Sequence, residues 1–127
     1  MAPDPNGRDL IVNLVEEGRV RLQRVPLSGG PAQEIQVKSE DPIVPVPLGP
    51  DTINHAGKML IGVVPNDSWF FRAGVMDLSS GVITRIPLNY TGDIMASAWS
   101  SDGRILATAD PIRAHLWRFR PGAGENK

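Results

Sequence analysis

The chain has 127 residues, a formal net charge of −1 and no cysteine. That length holds one domain. The near-neutral balance argues against a general nucleic-acid or anionic-membrane binder, and the absence of thiols excludes disulfides and thiolate metal sites. No apolar run approaches the ~18 residues that cross a bilayer. The opening Met1-Ala2-Pro3-Asp4-Pro5 has neither the basic start nor the apolar stretch of a signal peptide. The expectation is a soluble chain, cytoplasmic or periplasmic, without membrane insertion.

Glycine and proline number 13 and 12 and divide the chain closely. The longest stretches free of both, such as Arg8–Glu17, Ala32–Asp41 and Asp93–Asp102, are too short for an average helix of about 11 residues. Valine and isoleucine are abundant and favour the pleated surface of strands. The reading is all-β. In chain order, strands are predicted over Asp9–Val15, Arg19–Leu27, Gln33–Lys38, Leu60–Val64, Ser68–Leu78, Val82–Leu88, Asp93–Ser100, Arg104–Ala109 and Ala114–Arg120. Glu16-Glu17-Gly18, Ser28-Gly29-Gly30, Ser79-Ser80-Gly81 and Ser101-Asp102-Gly103 supply turn glycines. The proline-rich Asp41–Pro50 reads as a connection or an edge strand. The tails, residues 1–5 and 122–127, are expected to fray.

Self-comparison shows a recurring unit. Asn6-Gly7-Arg8-Asp9-Leu10-Ile11-Val12, Ala56-Gly57-Lys58-Met59-Leu60-Ile61-Gly62 and Asp102-Gly103-Arg104-Ile105-Leu106-Ala107-Thr108 each place a polar turn and a glycine before a basic residue and an apolar strand. A second glycine turn follows the first two copies, at Gly30 and Gly81, and a related strand, His115–Pro121, follows the third. A period of about 45 residues with about four short strands is the pattern of propeller blades. The segment Ala98-Trp99-Ser100-Ser101-Asp102-Gly103-Arg104-Ile105-Leu106-Ala107 resembles the first strand, Ser-x-Asp-Gly turn and second strand of WD40-like β-propeller repeats of the TolB type. Arg24-Val25-Pro26-Leu27-Ser28-Gly29-Gly30 resembles their third strand and last turn. Asn54-His55-Ala56-Gly57 departs from the Ser-x-Asp-Gly pattern, and no Trp-Asp dipeptide closes a third strand.

The resemblance implies four-stranded antiparallel blades over about residues 6–40, 51–90 and 93–121, an incomplete propeller. The first unit lacks an innermost strand before Asn6 in this reading, and the third lacks an outermost strand. Three arrangements answer the shortage: the chain is part of a longer protein, several copies close a ring, or the units fold otherwise, as a sandwich. The family implies a non-catalytic interaction or sensing module whose partner is a protein or the remaining blades. The alternatives are an enzyme or a sugar-binding ring whose site is completed by missing blades or other copies.

Chemistry-bearing motifs are sparse. His55 and His115 lack metal-ligand spacing, and there is no Gly-x-Ser-x-Gly elbow, phosphate loop or calcium loop. No catalytic residue, metal or cofactor is expected, and Asp4, Asp102 and Asp110 are expected to serve turns. Trp69-Phe70-Phe71 is the densest aromatic group. Because strand neighbours face opposite sides, at least one of the three is expected at a surface or blade interface, although core packing is the ordinary role of such residues. Trp99 and Trp117 are expected between blades; Trp69 and Trp117 would also offer stacking platforms to a sugar. Arg118 and Arg120 share a strand face and with Arg113 form a basic end, either a solvated edge or a contact for an acidic partner. The candidate binding surface is therefore Trp69, Phe70, Trp117, Arg118 and Arg120.

Overall fold

The computed structural model describes residues 1–45, 47–113 and 115–117. The chain is all-β. Strands β1 (Ala2–Pro3), β2 (Asp9–Glu16), β3 (Arg19–Pro26) and β4 (Gln33–Ile35) form an antiparallel meander in that order. A second meander contains β5 (Ile43–Val44), β6 (Lys58–Val63), β7 (Arg72–Asp77) and β8 (Ile83–Arg85), and a hairpin pairs β9 (Gly92–Trp99) with β10 (Ile105–Pro111). Two four-stranded sheets followed by a two-stranded one have the form of an incomplete set of blades. A 3-10 turn occupies Pro50–Thr52, and among the described residues no helix is long and apolar enough to cross a membrane.

Several expectations are corrected. The first sheet does have an innermost strand: β1 pairs Ala2 with Ile11 and Pro3 with Leu10. The segment is packed into the sheet: Ala2 is fully buried and the buried Asp4 carboxylate accepts Arg24 Nε at 2.8 Å. The strand expected from Ser68 starts only at Arg72, since Pro65, Asn66 and Asp67 carry the chain through a turn that continues to Phe71. Asp110 lies inside β10, opposite Asp93, and not in a turn. His115–Trp117 form no strand; Arg118–Arg120 and the tail beyond lie outside the described residues.

Strand alternation sorts the side chains. On one face of the first sheet stand Ala2, Ile11, Leu22 and Ile35; they meet Ile53, Met59, Ile61, Met76 and Leu78 of the second to form the core. Burial of each large aliphatic there contributes roughly 1.5–3 kcal/mol. On the opposite face of the first sheet Leu10, Val12, Leu14 and Val25 are half-buried, and none is fully covered. The second sheet turns Leu60 and Ala73 to its other side, toward β9. There the Trp99 indole N–H donates to the Lys58 carbonyl at 3.0 Å, so Trp99 does sit between sheets. A register shift between Thr108 and Ala109 marks a bulge in β9, with Met95 as the extra residue. It lets Ile94 above the bulge and Trp99 below it both address the second sheet.

The first two sheets are also tied at their outer edge. Lys38 N–H donates to the Gly81 carbonyl at 2.8 Å, and Ile83 N–H to the Lys38 carbonyl at 3.0 Å, a parallel bridge outside either meander.

The three glycine turns share one geometry. Asp4, Asn54 and Ser100 each donate an N–H to the first residue of the following strand region (Asp9, Lys58 and Arg104) at 3.0, 3.0 and 2.8 Å. Each accepts the N–H of the turn glycine (Gly7, Gly57, Gly103) at 3.0 Å. These glycines have φ of 70°, 72° and 81°, which L side chains rarely adopt. The pairings Pro3–Leu10, Ile53–Met59 and Trp99–Ile105 then occupy matching places. This differs from a glycine-to-glycine alignment: the first turn is one residue longer, so Leu10 matches Met59 and Ile11 matches Leu60.

Two of these turns and strand ends are pinned by carboxylates. Asp77 accepts from the Lys58 ammonium and from the Ser79 hydroxyl, which hold its carboxyl well below the usual range. The Arg104 guanidinium, at 2.6 Å, and the Ser100 hydroxyl bring Asp102 from 3.8 to about 2. Depressed folded-state values stabilise the protein above the ordinary carboxylate range, and that contribution is lost as pH falls through the folded value. Thermal midpoints are therefore expected to drop between about pH 4 and pH 2, with a shallower drop in Asp102→Asn. An equally steep drop in that variant would assign the acid sensitivity elsewhere.

Candidate binding surface

The loop between β6 and β7 presents Trp69 with 98% of its surface exposed. An indole in water is an unfavourable place for so large an apolar surface, and the loop beneath it is firmly built. On the approach side, Asp67 Oδ1 accepts Arg85 Nη1 at 2.8 Å, and Arg85 Nε lies 3.2 Å from Asp41 Oδ2. Ser68 N–H donates to the Pro65 carbonyl at 3.3 Å, and Phe70 N–H to Ser68 Oγ at 3.1 Å. On the exit side, Phe71 N–H donates to Asp93 Oδ1 at 2.8 Å, and Ile94 N–H donates to the Phe71 carbonyl at 3.1 Å.

Arg72 locks the base of the loop. It is buried, and its guanidinium donates to the carbonyls of Gly92 at 2.7 Å, Tyr90 at 2.8 Å and Phe71 at 3.2 Å. Its Cζ stands 5.3 Å from the centre of the half-buried Phe70 ring, within cation–π range. Phe70 thus works as an anchor beneath the loop, Phe71 is partly exposed, and Trp69 alone projects. The preceding Pro65-Asn66-Asp67-Ser68 is turn chemistry and was the available signal that Trp69 stands on a loop.

The other residues singled out are not brought to this loop by any described contact. Trp117, expected between blades, is instead 88% exposed, in a segment that makes no ladder. Arg118 and Arg120 lie outside the described residues. Arg72 escaped the sequence reading because a lone arginine after three aromatic residues carries no periodic signal.

A second feature is a polar groove of about 450 Å³ across the turn end of the seam between the first two sheets, lined in part by Asp4, Asn6, Arg24, His55 and Asp77. Its charged groups are already engaged, Arg24 with Asp4 inside the groove and Asp77 with Lys58, which is not part of its lining. Among the described residues no three His, Cys, Asp or Glu side chains gather to hold a metal ion. No family model, curated protein or solved structure shows a significant match to the chain.

Proposed function

We propose that this chain is a non-catalytic interaction module built of WD40-like, TolB-type repeat units, and that it forms part of a larger protein or assembly. The observation that carries the binding role is Trp69: a fully exposed indole on a loop clamped on both sides. Binding hot spots are enriched in tryptophan because it offers a large contact area, and a loop already held in place loses little conformational freedom when a partner docks. The shared geometry of the three glycine turns supports the repeat reading. The same indole also favours a second reading, a sugar-binding surface, since a flat exposed ring can stack on a pyranose.

Peptides enriched from a random library against the intact chain are expected to bind Trp69→Ala at least about 30-fold more weakly, about 2 kcal/mol, with an unchanged melting curve. Equal affinity for the variant removes Trp69 from the binding surface. A glycan array decides the second reading: Trp69-dependent glycan capture without peptide binding would favour the sugar.

A further inference from the structure

We propose that the outer face of the β9–β10 hairpin, centred on Leu106, docks onto the free face of the first sheet in a second copy of this chain, head to tail. Three matched positions carry the inference. Ile11, Leu60 and Leu106 occupy the same place in the three units, one residue beyond the pairings Pro3–Leu10, Ile53–Met59 and Trp99–Ile105. Ile11 is 0% exposed beneath the second sheet, and Leu60 is 1% exposed beneath the third. Among the described residues no sheet follows β10, and Leu106 is 63% exposed. Its cross-strand partner Ala98 matches Ala2, the partner of Ile11.

The identity of the cover follows from the two contacts already made within the chain. Ile11 is covered by the face bearing Met59, and Leu60 by the face bearing Trp99 and Ile105. The matching face of the first sheet bears Leu10, with Val12, Leu14 and Val25 beside it, none of them fully buried, and the core that joins the first two sheets lies on the opposite side. The chain therefore carries both halves of a contact that it repeats internally, one at each end. Around Leu106, the small side chains of Ala96, Ala98 and Thr108 leave a shallow hollow of about 240 Å³, where an aliphatic side chain of the incoming sheet fits. Such a contact joins two different surfaces, so successive copies either close a ring or extend. It does not rest on the role of Trp69.

Light scattering on the full chain over a range of concentrations is expected to show a mass rising to at least twice the 13.7 kDa of one copy. Leu106→Arg, at an exposed position, and Val12→Arg, on the other face, should each remain at one copy with unchanged circular dichroism. Mixed in equal amounts, they should form a two-chain species that grows no further, because each retains the face the other has lost. Should Val12→Arg unfold, Leu14→Gln serves in its place. Trp69→Ala should associate like the natural chain, which separates this contact from the partner surface. A natural chain that stays single, association that survives Leu106→Arg, or a mixture that stays single would each overturn the proposal.

Discussion

Gly81→Ala is expected to destabilise the protein by about 3 kcal/mol or more, which lowers the melting midpoint by roughly 10 °C in a chain of this size. Two effects add. Gly81 has φ +75°, where an L residue is disfavoured by roughly 1–2 kcal/mol. In addition, an added Cβ would stand 1.8 Å from the Gln36 carbonyl oxygen. That oxygen belongs to backbone and cannot rotate away, so the strand leading to Lys38 must shift, breaking the bridge between the first two sheets. Gly57→Ala separates the two effects: it has φ +72° and nothing within 4 Å of the added atom, so only the backbone contribution of roughly 1–2 kcal/mol remains. Melting curves of both variants check this. Equal losses would mean that the approach of Gln36 to Gly81 plays no part in stability.

Arg72→Met should cost about 3 kcal/mol, a comparable fall in melting midpoint. Methionine preserves much of the apolar stem but leaves the carbonyls of Gly92 and Tyr90 without the donors that now satisfy them. Hydrogen bonds from a charged donor contribute about 1.5–3 kcal/mol each, and unsatisfied buried acceptors add a penalty. Arg72→Lys should recover less than half of the loss, because one ammonium does not reproduce a planar fork spread over several acceptors. The loop bearing Trp69 should loosen at the same time, visible as faster amide exchange at Phe70 and Phe71. A full melting midpoint in Arg72→Met would show that these carbonyls find other donors at little cost.

The strands were largely legible because β-branched runs lie between glycine turns: Asp9–Glu16 and Arg19–Pro26 fall within a residue of their predicted bounds. β1 was not legible, since two residues that include a proline carry no periodicity; only the Asp4–Arg24 pair, twenty residues apart in sequence, reveals that the segment is held. Alternation identified Ile11 and Leu60 as strand residues but could not say which face would be covered, because that depends on the neighbouring sheet. The same limit applied to Trp69. Its residue type argues for burial, and its exposure follows from a loop whose clamps, Arg85, Arg72 and Asp93, are contributed by distant strands. Gly81 was readable as a turn glycine, but the approach of Gln36 that makes it irreplaceable was not.

The first glycine turn contains one residue more than the second, yet Leu10 and Met59 still emerge on corresponding sides of their sheets. A one-residue slip within a strand would invert the sidedness of everything after it; placed at a turn tip, it is absorbed before pairing resumes. The extra residue of the first turn therefore leaves the order of oily and wet positions along β2 the same as along β6.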